Sequence, residues 1–338
     1  MAYNFVFPAL ILNDKTAQPP RMRSILLVKT SSLGDVVHNL PVACDIRARF
    51  PQARIDWVVE EGFADIPRLH PAVTKVIPVA VRRWRRSLLS PATWREWRAY
   101  RAAVRAERYD LVLDTQGLLK SALLARQAQG KRAGYAAEAA REPLAARCYD
   151  AAYVIPKNLH AVERNRWLAA AALGYEPNLP LDYGIAAAAL AAPWLPAQPY
   201  CVLLSASSRA DKLWPEADWL ALAAALNARG LACVLPGGSA EERARAARLA
   251  SAMAQAVAAP PMGIAELARL LAGAQLVVGV DTGLSHIAAA LGRPTFCLFA
   301  GSHPELAGGY AGETAVNLGG AGSPPTAAQV IEAATGRL

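Results

Sequence analysis

The 338-residue chain is long enough for two α/β domains, and its hydrophobic content of 54% is sufficient for two cores. Its formal net charge of +9 indicates an anionic partner such as nucleic acid, a membrane surface or a phosphorylated substrate. The five cysteines form no CxxC pair and no metal-binding spacing. This argues against a disulfide framework and predicts a reduced, cytoplasmic protein.

Residues 1–22 are predicted to form an N-terminal extension outside the folded domains. The apolar run at 5–12 is too short to span a bilayer, and no basic region precedes it, so we do not expect a signal peptide. Elsewhere, no apolar run reaches the roughly 18 residues that a spanning helix needs. The pattern therefore predicts no transmembrane segment.

A first domain is predicted over residues 23–174, where short apolar runs alternate with helical patterns. The strands are predicted at 24–29, 54–60, 75–79 and 110–114, and the helices at 36–50, 91–108, 117–128 and 160–173. This alternation predicts a doubly wound parallel sheet.

The composition shifts to Gly, Pro and Ala at 175–198, which is typical of a linker. A second α/β domain is predicted at 199–325, followed by a C-terminal helix at 326–338. Its strands are predicted at 200–204, 232–236 and 275–280, and its helices begin at Pro215, after Met262 and at Gly283.

The turn after the predicted strand 275–280 is a candidate ligand site. Asp281, Thr282 and Gly283 lie at the carboxyl end of a parallel strand, where open α/β sheets bind their ligands. The following helix would direct free backbone N–H groups and its positive end at a diphosphate, the N–H groups being those of Gly283, Leu284 and Ser285. His286 would add a donor one turn later. Alternatively, Asp281 and Thr282 are ordinary helix caps and His286 is a core histidine.

The loop at 205–215 is a second candidate phosphate site. Ser207, Ser208 and Lys212 supply hydroxyl groups and a cation, which suit phosphate oxygens. The alternative interpretation is an ordinary surface loop with a solvated lysine.

Two features would complete a nucleotide site in the second domain. Glu241 or Glu242 follows the strand 232–236, where a carboxylate binds ribose hydroxyls in dinucleotide folds, although either residue also suits a first helical turn. Met262 would cover an adenine ring or fill the core.

In the first domain, Asp35 is the candidate general base. The loop 30–35 follows the first strand, and Gly34 permits close approach of another backbone. The loop is neither a GxGxxG fingerprint nor a P-loop, so it indicates neither a nicotinamide cofactor nor ATP hydrolysis. Asp35 would take a proton from an acceptor hydroxyl, or it only complements the helix dipole.

The run RRWRR at 82–86 is the candidate acceptor surface, continued by Trp94 and Trp97. Arginine forks bind carboxylates and phosphates bidentately, and tryptophan suits a membrane interface, so an anionic and partly lipidic acceptor is indicated. The alternative is a solvated charged face. Nucleic acid is disfavoured because no helix-turn-helix spacing, RRM aromatic pair or zinc knuckle is present.

Together, the motifs resemble the ADP-heptose:lipopolysaccharide heptosyltransferase family. They follow one another in a consistent order between about residues 22 and 335: KTSSLGDVVH at 29–38, DWVVEEGF at 56–63, RRWRR at 82–86, DTQGLLK at 114–120, REPL at 141–144, DKLWP at 211–215 and VDTGLSH at 280–286. The resemblance favours the type I enzymes, because the enzymes that add the second heptose carry tryptophan at the position of Ser32.

The resemblance implies a GT-B fold of two facing Rossmann-like domains, with the acceptor on the first and the nucleotide sugar on the second. The reaction would transfer L-glycero-D-manno-heptose from ADP-heptose to the Kdo sugar of lipid A, with inversion. The enzyme would work at the cytoplasmic face of the inner membrane as a peripheral protein. No cofactor is implied, and the lack of an Asp-x-Asp motif predicts no obligatory metal.

The resemblance also assigns residues. Asp35 would be the base, Asp281 would bind heptose hydroxyls, and Glu241 is favoured for the ribose. Further donor-binding residues would be Ser207, Ser208, Lys212, Met262, Thr282, Gly283, Leu284 and His286. Acceptor-binding residues would be Lys29, Ser32, Arg82, Arg83, Arg85, Arg86 and Arg141. Two alternatives remain open: a nucleotide-sugar epimerase of the same fold, and a non-catalytic nucleotide- or membrane-binding protein.

Overall fold

The computed structural model describes residues 22–207 and 209–338. The predicted N-terminal extension therefore lies outside the described residues, except for Met22, which packs against the core. Ser208 is also outside them.

Two six-stranded sheets form the centre of the molecule, and all their strand pairs are parallel. Their orders are β3-β2-β1-β4-β5-β6 and β12-β11-β10-β7-β8-β9, so both have the Rossmann order with the first strand of each half at the centre. The predicted doubly wound sheets are confirmed. The strands are β1 Ser24–Val28, β2 Arg54–Glu60, β3 Val73–Val79, β4 Arg108–Asp114, β5 Gln129–Tyr135, β6 Ala151–Tyr153, β7 Tyr200–Leu204, β8 Ala232–Leu235, β9 Ala256–Ala258, β10 Val277–Val280, β11 Thr295–Phe299 and β12 Ala315–Gly319.

Helices connect the strands and cover the sheets. They are α1 Leu33–Val37, α2 Leu40–Arg49, α3 Asp65–Arg68, α4 Val81–Trp84, α5 Pro91–Arg105, α6 Leu119–Ala125, α7 Ala161–Leu173, α8 Glu216–Asn227, α9 Ala240–Ser251, α10 Ile264–Gly273, α11 Gly283–Ala290, α12 Pro304–Ala307 and α13 Ala327–Thr335. Within the described part of the chain, no helix has the length and apolar character needed to cross a bilayer.

The single helix predicted at 36–50 is wrong, because the segment forms α1 and α2. Pro41 lies in the first turn of α2. Its nitrogen has no hydrogen to donate to the carbonyl of Val37, and its ring would clash with that carbonyl in a continuous helix. The chain therefore restarts a helix after Asn39, which leaves α1 as a short separate element beside the carboxyl end of β1.

Buried apolar side chains of both sheets belong to one continuous cluster. Leu27 and Trp57 contribute from the first sheet, and Val202 and Leu271 contribute from the second half of the chain. The two halves are therefore joined through apolar contacts as well as through the connecting chain. This shared cluster fixes which strand ends meet at the site.

The segment 175–198 contains no helix or strand but packs against its surroundings. Tyr183 is buried and its hydroxyl donates to the carbonyl of Tyr310, while the N–H of Leu190 donates to the carbonyl of Arg269. After the last strand, α13 contributes Val330 and Ala334 to the core beneath the second sheet.

A buried ion pair links α2, α7 and the segment 175–198. The Arg166 guanidinium donates to both oxygens of Asp45 at 2.8 and 3.1 Å and to the carbonyl of Leu179 at 2.6 Å. Burial raises the pKa of the Asp45 carboxyl despite this guanidinium, so the pair does not fully offset its own desolvation. Each partner therefore depends strongly on the other.

We expect Arg166→Met to lower the free energy of unfolding by about 3–5 kcal/mol, because it leaves the Asp45 carboxyl buried without its counter-ion. Urea denaturation measures the change. Arg68→Met is the matched control, since Arg68 forms an exposed pair with Asp65 that contributes about 1 kcal/mol or less. Equal effects of the two substitutions would contradict this account of the buried pair.

Candidate active site

The carboxyl ends of β1 and β10 meet where α1 packs against α11. The two helices approach closely because each has a glycine at the contact. A Cβ on Gly34 would lie 2.9 Å from the His286 ring, and a Cβ on Gly283 would lie 2.7 Å from Leu33. The contact brings Asp35 and Asp281 to the same interdomain junction, where His286 interacts electrostatically with both carboxylates.

Asp35 is the third residue of α1 and caps its start. Its carboxylate accepts hydrogen bonds from the N–H and hydroxyl of Ser32 at 2.7 and 3.0 Å, and Arg141 lies 3.9 Å away. Burial opposes ionisation of Asp35, but Lys29, the Ser32 hydrogen bonds and Arg141 outweigh burial and lower its pKa. The group is therefore an ionised carboxylate with the capacity to accept a proton.

Lys29 is buried beneath this carboxylate. Its ammonium donates to the carbonyl of Thr115 at 2.9 Å and to Asn165 Oδ1 at 3.4 Å. Burial lowers the pKa of Lys29 to about 8, against the opposing effect of Asp35 and Asp114. A cation held at this depth stabilises negative charge on Asp35 and on any anion beside it.

The loop that leads into α1 is held by Gln116, a residue that the sequence reasoning missed. Its Oε1 accepts from the N–H and hydroxyl of Thr30 at 2.6 and 2.7 Å and from the N–H of Ser31 at 3.3 Å, and its Nε2 donates to the Ser31 carbonyl. Asp114 in turn accepts from the N–H of Gln116 at 2.8 Å. The amide thus fixes the backbone that positions Asp35.

A cavity of about 370 Å³ opens beside Asp35 and is rich in cations. The predicted residues Lys29 and Arg141 line it, together with Lys157 and Arg164, which were not predicted. The Arg164 guanidinium lies 4.8 Å from the centre of the Tyr135 ring, which holds it in place. A site with several cations around one carboxylate suits an anionic substrate that presents a hydroxyl group.

The arginines of the 82–86 run differ in their surroundings. The side chains of Arg82, Arg85 and Arg86 are exposed, and the Arg82 guanidinium lies 5.5 Å from the Phe63 ring centre. Arg83 instead donates to Glu61 at 3.2 and 2.9 Å and to Glu96 at 3.0 Å. Arg83 would have to exchange these exposed ion pairs to bind an acceptor, and its role as an acceptor ligand stays a prediction.

On the donor side, Lys212 and Asp281 meet directly. Their Nζ and Oδ2 atoms are 2.6 Å apart, and the hydroxyl of Ser302 donates to the same oxygen at 2.6 Å. His286 Nε2 lies 4.0 Å from Asp281 Oδ1. The cation of the 205–215 loop and the carboxylate after β10 therefore form one cluster. Ser302, a loop residue after β11, gave no distinct sequence signal.

The start of α11 matches the predicted phosphate site only in part. Thr282 is the N-cap residue, and helix α11 begins at Gly283. The N–H of Ser285 donates to the Thr282 carbonyl at 3.1 Å, so the prediction that this N–H is free was wrong. The N–H groups of Gly283 and Leu284 remain at the positive end of the helix as the donors available to a diphosphate.

The remaining predicted donor residues lie on loops of the second half. Ser207 Oγ accepts from the N–H of Arg209 at 3.4 Å, and its predicted neighbour Ser208 lies outside the described residues. Met262 precedes α10 and is partly buried against the apolar cluster.

The two carboxylates considered for the ribose have different surroundings. Glu242 Oε2 accepts from the N–H groups of Gly238 and Ser239 at 2.8 and 3.0 Å and so caps α9. Glu241 is exposed in the same turn. The geometry therefore leaves Glu241 as the better candidate of the two.

Three histidines pack edge to face across the junction. His286 Nδ1 lies 3.2 Å from His38 Nε2, and the His38 and His160 rings are 5.2 Å apart at an edge-on angle. His160 also stacks on Tyr310, with ring centres 4.3 Å apart. Burial lowers the pKa of all three, that of His160 to about 4. These imidazoles are neutral at physiological pH, and His286 forms part of the interdomain contact.

Two facing Rossmann-like sheets whose central strands end at one cleft define the GT-B class of glycosyltransferases. The chain belongs to glycosyltransferase family 9, the heptosyltransferases, whose family model matches residues 97–332. This assignment decides against an epimerase and against a non-catalytic binding protein.

The relatives agree over most of the chain. Lipopolysaccharide heptosyltransferase 1 of Pseudomonas aeruginosa is 49% identical over 298 residues, which cover 87% of this chain and 83% of that protein. The structure of Escherichia coli heptosyltransferase WaaC with ADP has a TM-score of 0.85 at 43% identity and covers 93% of this chain and 100% of that one. A WaaC structure with ADP-2-deoxy-2-fluoro heptose has a TM-score of 0.80 at 42% identity and covers 93% and 98%.

We expect Gln116→Ala to destabilise the protein by about 2–4 kcal/mol, because it leaves buried N–H groups of Thr30 and Ser31 without acceptors. Faster amide hydrogen exchange at these two residues would report the local loosening. Gln127→Ala is the control, since its amide makes only an exposed bond to the carbonyl of Leu123. Unchanged exchange at Thr30 and Ser31 would exclude the positioning role of Gln116.

Proposed function

We propose that the protein transfers L-glycero-D-manno-heptose from ADP-heptose to the Kdo sugar of lipid A, with inversion at the anomeric carbon. The observation that carries the proposal is a pair of carboxylates at the interdomain junction of a heptosyltransferase family member. Asp35 lies on one domain and is ionised, and Asp281 lies on the other and pairs with Lys212. Two similar proteins support this donor and this pathway: one is a lipopolysaccharide heptosyltransferase 1, and the structure of the other contains ADP-2-deoxy-2-fluoro heptose.

The proposed reaction is a single displacement. Asp35 accepts the proton of the acceptor hydroxyl while the hydroxyl oxygen bonds to the anomeric carbon of the heptose. The bond between that carbon and the diphosphate oxygen breaks, and its electron pair leaves with ADP. The low pKa of Asp35 keeps it unprotonated and ready to act as the base.

The second domain, residues 199–325, would bind the donor. Lys212 and the N–H groups at the start of α11 would stabilise the charge that develops on the departing diphosphate, which is usually the largest catalytic term. Asp281 would exchange part of its contact with Lys212 for hydroxyl groups of the heptose. Ser207, Glu241 and Met262 would surround the nucleotide, with Glu241 on the ribose.

The first domain, residues 23–174, would bind the acceptor. Lys29 and Arg141 beside Asp35 suit the carboxylate of a Kdo sugar, and Ser32 lies next to the reacting hydroxyl. The exposed arginines Arg82, Arg85 and Arg86 would meet the acidic groups of the acceptor lipid and of the cytoplasmic membrane face. This arrangement supports a peripheral position at the inner membrane.

We expect Asp35→Asn to reduce heptose transfer by about 10²–10⁴-fold while ADP-heptose affinity stays unchanged, because only the proton acceptor is lost. The assay follows ADP release from ADP-heptose with and without Kdo-lipid A, and calorimetry measures donor binding. Asp65→Asn, at an exposed carboxylate of α3, should retain wild-type turnover. Turnover of the Asp35 variant close to that of wild type would remove Asp35 as the base, and acceptor-independent ADP release would refute the transferase reaction.

Lys212→Ala should weaken ADP-heptose binding about 10- to 100-fold, because it removes a charged partner of the diphosphate and leaves Asp281 without its counter-ion. Calorimetric titration with the donor measures the change. Arg229→Ala removes the same charge from an exposed position of the same domain and should not alter the affinity. Equal donor affinities for the Lys212 variant and wild type would place the diphosphate elsewhere.

A further inference from the structure

An apolar groove of about 460 Å³ lies on the first domain between α4, α5 and α6. We call it the aromatic groove. Its walls are mostly carbon, and the residues that define it are Val81, Trp84, Leu88, Trp94, Trp97 and Leu123. The sequence placed Trp84, Trp94 and Trp97 on the candidate acceptor surface, but the proposed reaction assigns no role to the groove itself.

Two indole N–H groups of the groove, those of Trp84 and Trp94, have acceptors within the protein. Trp84 Nε1 donates to Glu96 Oε2 at 2.7 Å, and Trp94 Nε1 donates to the carbonyl of Leu88 at 2.9 Å. The Trp84 and Trp97 rings pack edge to face with centres 5.9 Å apart. Because both donors are satisfied within the protein, the rings offer apolar surface to whatever enters the groove.

The groove is open to a ligand. Leu88 is 61% exposed, Trp94 is 52% exposed and Leu123 is 46% exposed. Large apolar side chains that line one concavity and remain exposed mark a site where another apolar group binds. The groove is therefore a binding surface rather than a part of the core.

Cations join the aromatic groove to the catalytic loop. Arg85 and Lys120 line the groove, and the Lys120 ammonium donates to the hydroxyl of Ser31 at 2.8 Å. Ser31 immediately precedes Ser32, which binds the Asp35 carboxylate. A molecule whose reacting hydroxyl lies at Asp35 would first pass the cations Lys120 and Arg85 and then reach the apolar surface of the aromatic groove. This order of surfaces complements a lipid with an anionic headgroup.

We propose that the aromatic groove binds a fatty acyl chain of the lipid acceptor, with the anionic headgroup between Lys120, Arg85 and Asp35. The proposal rests on the proposed function, since it extends the acceptor site of the same reaction. The groove is linked to the catalytic loop through Lys120, which lines it and bonds to Ser31, and its concave shape suits a single chain of the bound acceptor. Insertion into a bilayer is favoured instead by protruding side chains such as Leu89, which is 98% exposed and does not line the groove.

The test compares two acceptors in a fixed concentration of one detergent: Kdo-lipid A with its acyl chains, and the same molecule with all acyl chains removed. The double variant Leu88→Asn with Leu123→Asn changes only exposed positions of the groove. We expect it to raise the KM for the acylated acceptor at least tenfold, since each buried methylene contributes about a fourfold gain in affinity. The KM for the deacylated acceptor and the kcat values should stay within about twofold of wild type.

Leu338→Asn is the matched control, an exposed leucine beyond α13 that should change neither KM. An equal rise of the KM for both acceptors, or no rise for either, would overturn the proposal. Binding to vesicles of phosphatidylethanolamine and phosphatidylglycerol without acceptor forms a second arm, with Leu89→Asn as a comparison. The proposal is wrong if the groove variant loses vesicle binding while the ratio of its KM values for the two acceptors stays that of wild type. In that case the groove contacts the bilayer and not an acyl chain of the acceptor.

Failure of the proposed function would appear separately, in the wild-type protein. Wild type that transfers no heptose to either acceptor refutes the transferase assignment before any groove variant is measured. If wild type transfers heptose, and the groove variant distinguishes the acylated from the deacylated acceptor as wild type does, only the acyl-chain site is refuted.

Discussion

The close contact of α1 with α11 is the constraint on which the site depends. It is possible only because Gly34 and Gly283 carry no Cβ at the positions where the opposite helix passes. The contact places the end of β1 opposite the end of β10 and sets the separation of Asp35 and Asp281 across the junction. A larger residue at either position would separate the two half-sites without touching any charged group.

A second property of the junction is that a lysine compensates the charge of each carboxylate. Each half of the site holds a carboxylate beside a lysine: Asp35 above Lys29, and Asp281 against Lys212. Neither carboxylate is therefore a buried charge without a compensating cation. In the proposed reaction the two pairs would have different uses, since Asp35 would accept a proton and Asp281 would exchange part of its contact with Lys212 for hydroxyl groups of the donor.

Much of this arrangement could be predicted from the sequence. Apolar runs at β1, β2, β7 and β10 identified buried parallel strands, and in a parallel sheet the polar turns after such strands share one edge. The strand β5 was missed because its sequence QGKRAGY contains two glycines and two cations, and it is a strand because β4 and β6 pair with it on either side. Tertiary pairing outweighed local preference there.

The misses within the site have a common cause. Gln116 acts through side-chain bonds to a loop more than 80 residues away, and Lys157 and Arg164 reach the cavity only once β6 and α7 are placed beside β5. A pattern of neighbouring residues carries no information on such long-range contacts. Likewise, the sequence context of Arg83 matches that of Arg82, and only the structure shows that Arg83 pairs with Glu61 and Glu96.

The three histidines in edge-to-face contact make the contact between the two domains sensitive to acid. Burial holds the pKa of each imidazole below its usual value of about 6.5, that of His160 at about 4, so below pH 6.5 the folded protein binds fewer protons there than the unfolded chain. Stability contributed by these rings is complete above pH 6.5 and declines as the pH falls below it. Three adjacent imidazolium groups would also repel one another, so acidification weakens the contact that holds the two halves of the site together.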